Sequence, residues 1–174
     1  MILSALNFIR CFGHCLADPE RRRLLNAHRS RPVEQPAARK DALRAAIDYL
    51  MRAQEQSNDD GIGSYHLVDG WSTSYPETTG YIIPTLFAAA EHLQWDQPRE
   101  RALRAADWLL SIQRNDGGWQ GGRMGEDRES VVFNTAQVIR GLLAAHDQTK
   151  RGEFLDACIR AGEWILGSQS RDGA

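Results

Sequence analysis

The chain has 174 residues, of which 42% are hydrophobic and 25% charged, a composition typical of one globular domain and unlike that of a disordered or membrane-spanning chain. It has 21 Lys and Arg residues and 23 Asp and Glu residues, so there is no excess of basic residues to neutralise phosphates. We therefore expect no nucleic-acid partner. Three cysteines, an odd number, favour a reducing compartment over a disulfide framework, which predicts a cytoplasmic protein.

Residues 1–38 are predicted to form an N-terminal helical segment followed by a linker. Between Met1 and Leu16, apolar residues recur at roughly helical spacing, without the basic start or the small-residue cleavage site of a secretion signal. We interpret this stripe as a terminal helix docked on the core, and contact with a membrane surface is the alternative. Pro32 and Pro36 mark the linker before the first repeat.

An internal repeat organises the rest of the chain, residues 39–174. A first type of helix recurs three times, each copy ending in a glutamine that is followed by an Asp-Gly turn. The glutamines are 59 and 56 positions apart. They are Gln54, Gln113 and Gln169, and the turns begin at Asp60, Asp116 and Asp172.

A second type of helix lies between successive first-type helices. The stretch from Thr79 to Ala89 matches the stretch from Thr135 to Ala145 with an offset of 56 positions. The repeating unit is therefore a helix pair, and we predict units over residues 39–97, 98–150 and, cut short, 151–174.

Side-chain pattern and chemistry predict details of the first unit. Ser74 and Glu77 have the spacing of a capping box, with Pro76 in the first turn, so the second-type helix is expected to begin near Tyr75. In the preceding first-type helix, apolar residues at helical spacing predict one buried face. That face comprises Ala42, Ala45, Ala46, Tyr49, Leu50 and Ala53.

The stretch from Arg104 to Trp119 resembles the QW motif of squalene cyclases and other triterpene cyclases, and related repeats occur in protein prenyltransferase β subunits. The resemblance covers roughly residues 39–174, with one complete motif and two partial ones. It implies an all-α fold, namely an α/α-toroid of tandem helical hairpins, present here as an incomplete ring of about three repeats. It also implies that the motif residues tie helix ends together and are structural. These residues are Gln54, Gln113, Trp119 and Gln169.

The catalytic groups of that family are not recognisable in this sequence. Cyclases of the squalene type begin with an Asp-x-Asp-Asp acid, and no such string is present. Cys11, His14 and Cys15 lie within about one helical turn, but a closed zinc site needs four ligands and no second pair is evident. We expect no metal and no cofactor, and whether the chain is an enzyme stays open.

The candidate site lies at the end of the units where the connecting loops are long and rich in Gly, aromatic and acidic residues, because such loops usually carry function. Candidate catalytic residues are Glu77, Tyr75 and Asp69, as acid or base groups. Capping and core packing explain the same residues without any function. Candidate ligand-binding residues are Trp71, Tyr81, Phe133, Asn134 and Gln137.

Three functions fit these observations. The first is a cyclase-like or prenyltransferase-like domain that binds an isoprenoid in an aromatic cavity, the second a non-catalytic or truncated scaffold, and the third a glycan-acting domain of the six-hairpin glycosidase or sugar epimerase kind. Because a ring of six hairpins needs about twice this chain, we expect a truncated frame. Two chains that complete one ring as a homodimer are the alternative.

Overall fold

A computed structural model describes residues 13, 17–29, 39–67 and 69–170, and the statements below concern these residues. They are mostly helical, in agreement with the predicted all-α class. The helices are α1 (Pro19–Arg29), α2 (Arg39–Glu55), α3 (Pro76–Leu93), α4 (Asp96–Ser111), α5 (Val132–Thr149) and α6 (Gly152–Ser168). A two-stranded antiparallel hairpin, β1 (Tyr65–His66) and β2 (Gly70–Trp71), lies in the first long loop. The apolar stripe of Met1–Leu16, the cysteines Cys11 and Cys15, and the turn at Asp172 fall outside the described residues.

The helices alternate between the two predicted types. First-type helices are α2, α4 and α6, and second-type helices are α3 and α5. The second-type helices pack against each other, whereas α4 packs mainly on α3 and α6 mainly on α5. Each first-type helix after α2 therefore rests on the second-type helix that precedes it. Closure of these pairs into a toroid stays a prediction.

Helices α3 and α5 cross at two glycines. A Cβ atom on Gly80 would lie 2.6 Å from the carbonyl oxygen of Gln137, and a Cβ atom on Gly141 would overlap the carbonyl oxygen of Gly80. The two backbones approach this closely because neither residue has a side chain, since the residues at a crossing set the distance between helix axes. The hydrophobic core extends along the same pair of helices through Ile83, Leu86, Val138 and Leu142.

The predicted buried face of α2 is wrong for most of its residues. Ile47, Met51 and Gln54 are buried on α2, whereas of the predicted face only Ala53 is buried and Leu50 is half-buried. The cause is packing: α4 and α6 each rest on a preceding second-type helix, and within the described ranges no such helix precedes α2. The exposed members of the predicted face are Ala42, Ala45, Ala46 and Tyr49.

Helix α3 begins at Pro76, as expected from the start predicted near Tyr75, but its capping differs from the prediction. The N-cap residue is Tyr75, whose side chain caps no backbone group. The Ser74 hydroxyl donates instead to the carboxylate of Asp59 in the preceding loop. The capping box is therefore wrong, because the Ser74 side chain fastens the loop to the helix start.

Candidate functional site

Each long loop begins with the same tight turn. The carboxylate of Asp59 accepts a hydrogen bond from the Gly61 N–H at 3.1 Å, and that of Asp116 accepts one from the Gly118 N–H at 2.9 Å. Asx turns of this kind are a common use of aspartate in loops. The geometry pairs Asp59 with Asp116, so the turn in the first loop begins one residue before the predicted Asp60.

The glutamine of the complete motif joins its loop to the next first-type helix. Gln113 Nε2 donates to the carbonyl oxygen of Gly117 and to that of Ala157 in α6, both at 2.9 Å. Its Oε1 atom accepts a hydrogen bond from the guanidinium of Arg160, also in α6. One side chain thus satisfies two backbone carbonyls and links consecutive repeats.

The first-unit glutamine makes the corresponding donor contacts but not the acceptor contact. Gln54 Nε2 donates to the carbonyl oxygens of Asp60, at 2.8 Å, and Arg101 in α4, at 3.0 Å. Its Oε1 atom is buried and has no hydrogen-bond partner among the described residues. Arg104 occupies the position equivalent to Arg160, but it forms an ion pair with the carboxylate of Asp60. Gln169, the third predicted motif residue, is the exposed C-cap residue of α6.

A buried anchor ties each loop to the start of the following second-type helix. The Trp119 side chain is fully buried, and its indole N–H donates to the Leu109 carbonyl oxygen at 2.9 Å. The Trp119 backbone N–H donates to the Thr135 hydroxyl at 3.0 Å, and Ile62 donates to Thr79 in the same way at 2.9 Å. These anchors fix the long loops against the first turns of α3 and α5, where most of the candidate site residues lie.

The three candidate catalytic residues do not form one hydrogen-bonded group in the part of the chain that is described. Asp69 lies on the exposed hairpin, where its carboxylate is 2.9 Å from His66 Nδ1. Tyr75 and Glu77 are half-buried at the start of α3, and no hydrogen bond links either side chain to Asp69.

The candidate ligand-binding residues divide between two places. Phe133 is 60% exposed at the start of α5, and Gln137 is half-buried one turn further along. Asn134 points inward and is only 5% exposed, and its Nδ2 atom has no hydrogen-bond partner within the described residues. Tyr81 is 38% exposed on α3. Trp71 lies elsewhere, on β2, in contact with other aromatic rings.

A groove of about 560 Å³ runs over α3 and was not predicted from the sequence. On α3, residues 77, 81, 85, 88 and 92 are spaced so that they share one side of the helix, as do residues 133, 137 and 140 on α5. Glu77 and Tyr81 therefore precede the groove along α3, and Phe133 and Gln137 precede it along α5. The lining of the groove comprises Leu43, Pro84, Thr85, Ala88, Ala89, His92 and Arg140.

Comparison with known proteins gives one relation of low identity. The chain is 26% identical over 142 residues to a squalene–hopene cyclase of Zymomonas mobilis subsp. mobilis, an alignment that covers 75% of this chain and 19% of that protein. The chain thus spans about a fifth of the length of this curated relative. No family model matches the chain. No solved structure matches it either. The similarity supports a terpenoid cyclase-like relationship for a mostly helical chain.

Two further observations concern the described residues only. No helix among them combines the length and the apolar character needed to cross a membrane. They also contain no group of three or more His, Cys, Asp and Glu side chains arranged to hold a metal ion.

Proposed function

We propose that the chain is a cyclase-like α/α-toroid domain that binds an apolar, isoprenoid-like ligand along the common face of α3 and α5. The observation that carries the proposal is the groove of about 560 Å³, whose volume falls within the range of small-molecule sites. Pro84, Ala88 and Ala89 give it an apolar floor, on which a hydrocarbon chain would lose contact with water.

The approach to the groove supports the same ligand class. Tyr81 and Phe133 are exposed aromatic residues on the faces that lead to it from the long-loop end. Aromatic rings offer large apolar contact area, which suits an unsaturated hydrocarbon. The similarity to a squalene–hopene cyclase favours the same class over a sugar.

Binding rather than turnover is the core of the proposal. The described residues that line the groove include no carboxylic acid, and the two ionisable residues among them, His92 and Arg140, are basic. Glu77 lies two helical turns before Thr85 on the same side of α3, so it is our first candidate for a catalytic acid, ahead of Tyr75 and Asp69. A non-catalytic scaffold is the second proposal, favoured because no carboxylate lies among the described residues that line the groove. We place the protein in the cytoplasm, in keeping with the free, buried thiol of Cys158.

Thermal unfolding with farnesol tests the proposal. We expect farnesol to raise the Tm of the wild-type chain by several degrees and glucose to leave it unchanged, because a ligand that binds only the folded state stabilises it. Ala88→Trp, which fills the groove, should remove the shift. The matched control is Ala45→Trp at an exposed position of α2 outside the groove lining, which should keep it.

Other outcomes would decide against the proposal. A shift with glucose and none with farnesol would favour the glycan-acting alternative. No shift with either compound would favour the scaffold. A farnesol shift that survives Ala88→Trp would mean that the ligand binds away from the groove.

A further inference from the structure

A second cleft lies between α1, α2 and the β1–β2 hairpin, apart from the groove on α3. Its volume is about 260 Å³, which is small enough to suit a single-ring ligand. The hairpin lies close to α1 at Gly70, because a Cβ atom on this glycine would be 3.5 Å from a guanidinium nitrogen of Arg21. The lining residues that matter are Glu20, Arg23, Tyr49, Arg52, Tyr65 and Trp71.

Three aromatic rings form one wall of this cleft. Trp71 lies in the middle, with its ring centroid 5.8 Å from that of Tyr49 and 5.2 Å from that of Tyr65. The Tyr65 ring meets Trp71 edge-on at 64°, which is a favourable aromatic geometry. Tyr49 nevertheless remains 41% exposed, so its side chain is accessible to the flat ring of a ligand.

Two arginines line the same cleft. Arg23 comes from α1 and Arg52 from the last turn of α2. Within the described residues neither forms an ion pair, although nearby Arg21 pairs with Asp18 and Arg101 with Glu55. Two like charges that converge on one cleft repel each other until an anion lies between them.

The remaining charge in the cleft does not cancel these two. Among the described lining residues, Glu20 in the first turn of α1 is the one carboxylate, so their net charge is one positive unit at neutral pH. A cationic ligand would therefore be repelled by two arginines, and a neutral sugar would supply an anionic partner to neither of them. Guanidinium groups bind carboxylates and phosphates through paired hydrogen bonds, and they also stack on flat rings.

We propose that this cleft binds a small organic anion made of a flat ring that carries a phosphate or carboxylate group. The ring stacks against Tyr49 and Trp71, and the anionic group lies between Arg23 and Arg52. The site shares no lining residue with the groove on α3 and does not depend on the ligand proposed there.

Isothermal titration with phenyl phosphate tests this site. We expect saturable binding with one site per chain, together with a change in tryptophan fluorescence that disappears in Trp71→Phe. A parallel titration with benzoate, which carries a carboxylate, shows by its affinity which anionic group the arginines prefer. Arg23→Gln and Arg52→Gln should each weaken the binding of phenyl phosphate about ten-fold, because each removes a charge-assisted hydrogen-bond partner.

Arg22→Gln is the matched control, since it removes the same charge from an exposed neighbouring position on α1 that does not line the cleft. It should leave the affinity within about two-fold. If Arg22→Gln weakened the binding of phenyl phosphate as much as Arg23→Gln does, the proposal would be overturned, because the anion would then be attracted by the general positive charge of α1. Phenol binding as tightly as phenyl phosphate would exclude a role for the arginines, and inorganic phosphate binding as tightly would exclude one for the rings. Saturable binding of glucose, or no saturable binding of phenyl phosphate or benzoate, would also overturn it.

Discussion

Gln54 and Gln113 donate to equivalent backbone carbonyls but differ in what their acceptor oxygens contact. Arg160 donates to Gln113 Oε1, whereas Arg104 at the equivalent position forms an ion pair with Asp60. The difference follows from one residue of the turn: Asp60 stands where the second loop has a glycine, and its carboxylate competes for the guanidinium. Gln54 Oε1 is consequently buried without a partner in the described part of the chain, so the two motifs are not energetically equal.

The first prediction therefore concerns Gln113. Replacement of Gln113 by Ala leaves the carbonyl oxygens of Gly117 and Ala157 without their donor and should lower the free energy of unfolding by about 1–3 kcal/mol. Chemical denaturation followed by circular dichroism measures this change. Gln97→Ala, at an exposed position of α4, is the control and should change stability by less than about 0.5 kcal/mol. Equal stability of Gln113→Ala and Gln97→Ala would show that the link between repeats does not hold the fold.

At the scale of helices and loops, the sequence predicts which helices form and in what order better than it predicts which of their faces are buried. The offset of 56 positions between Thr79 and Thr135 correctly separates equivalent residues of α3 and α5, because a repeat preserves helix positions. The buried face of α2 could not be found this way, since it depends on which neighbours are present rather than on periodicity. The predicted position of the first turn is wrong by one residue for a local reason. The first loop contains two adjacent aspartates, and only the backbone hydrogen bond shows that Asp59 makes the turn.

The candidate site shows the same limit. The sequence predicts Trp71 as a candidate ligand-binding residue, but its partners Tyr49 and Tyr65 come from a helix and a strand that the sequence does not place together. The groove on α3 was missed because small residues such as Ala88 and Ala89 carry no chemical signature. A stripe of small residues becomes visible as a site only when the neighbouring helices are in place.

The second prediction concerns the crossing of α3 and α5. Gly141→Ala places a methyl group against the Gly80 carbonyl oxygen, so the helices must separate, and we expect a loss of about 1–3 kcal/mol in the free energy of unfolding. Gly162→Ala in α6 is the matched control, because nothing lies within 4 Å of its Cβ position. That control should be stabilised by about 0.5–1 kcal/mol, since alanine favours the helix interior.

Thermal and chemical denaturation of the two alanine variants distinguishes close packing from simple helix propensity. If propensity dominated, both variants would gain stability. A gain in Gly141→Ala would therefore contradict the close approach of α3 and α5, and with it the packing that positions the face leading to the groove.

On the scale of the whole molecule, α6 has an apolar stripe that the described helices leave uncovered. Leu155, Ile159 and Leu166 are 38%, 51% and 72% exposed, and their spacing puts them on one side of the helix. Exposed apolar side chains along one side of a helix are a feature of interaction sites. In a stack of repeats, each repeat packs against a neighbouring repeat of the same type, so another repeat of this type could cover the stripe on α6. We propose a second copy of this chain as the partner.

The third prediction follows from that stripe. Light scattering should give a mass that rises from the monomer towards the dimer as protein concentration increases, and Ile159→Glu combined with Leu166→Glu should hold the chain as a monomer, because burying two carboxylates in an apolar interface is costly. Gln97→Glu combined with Gln148→Glu adds the same charge at exposed positions of α4 and α5 and should leave the association unchanged. Loss of association in both double variants would indicate general charge repulsion, and a wild-type chain that stays monomeric throughout would exclude the second copy. Association that depends on α6 alone, with the farnesol shift retained in the monomeric variant, would show that the groove on α3 binds its ligand without help from a partner.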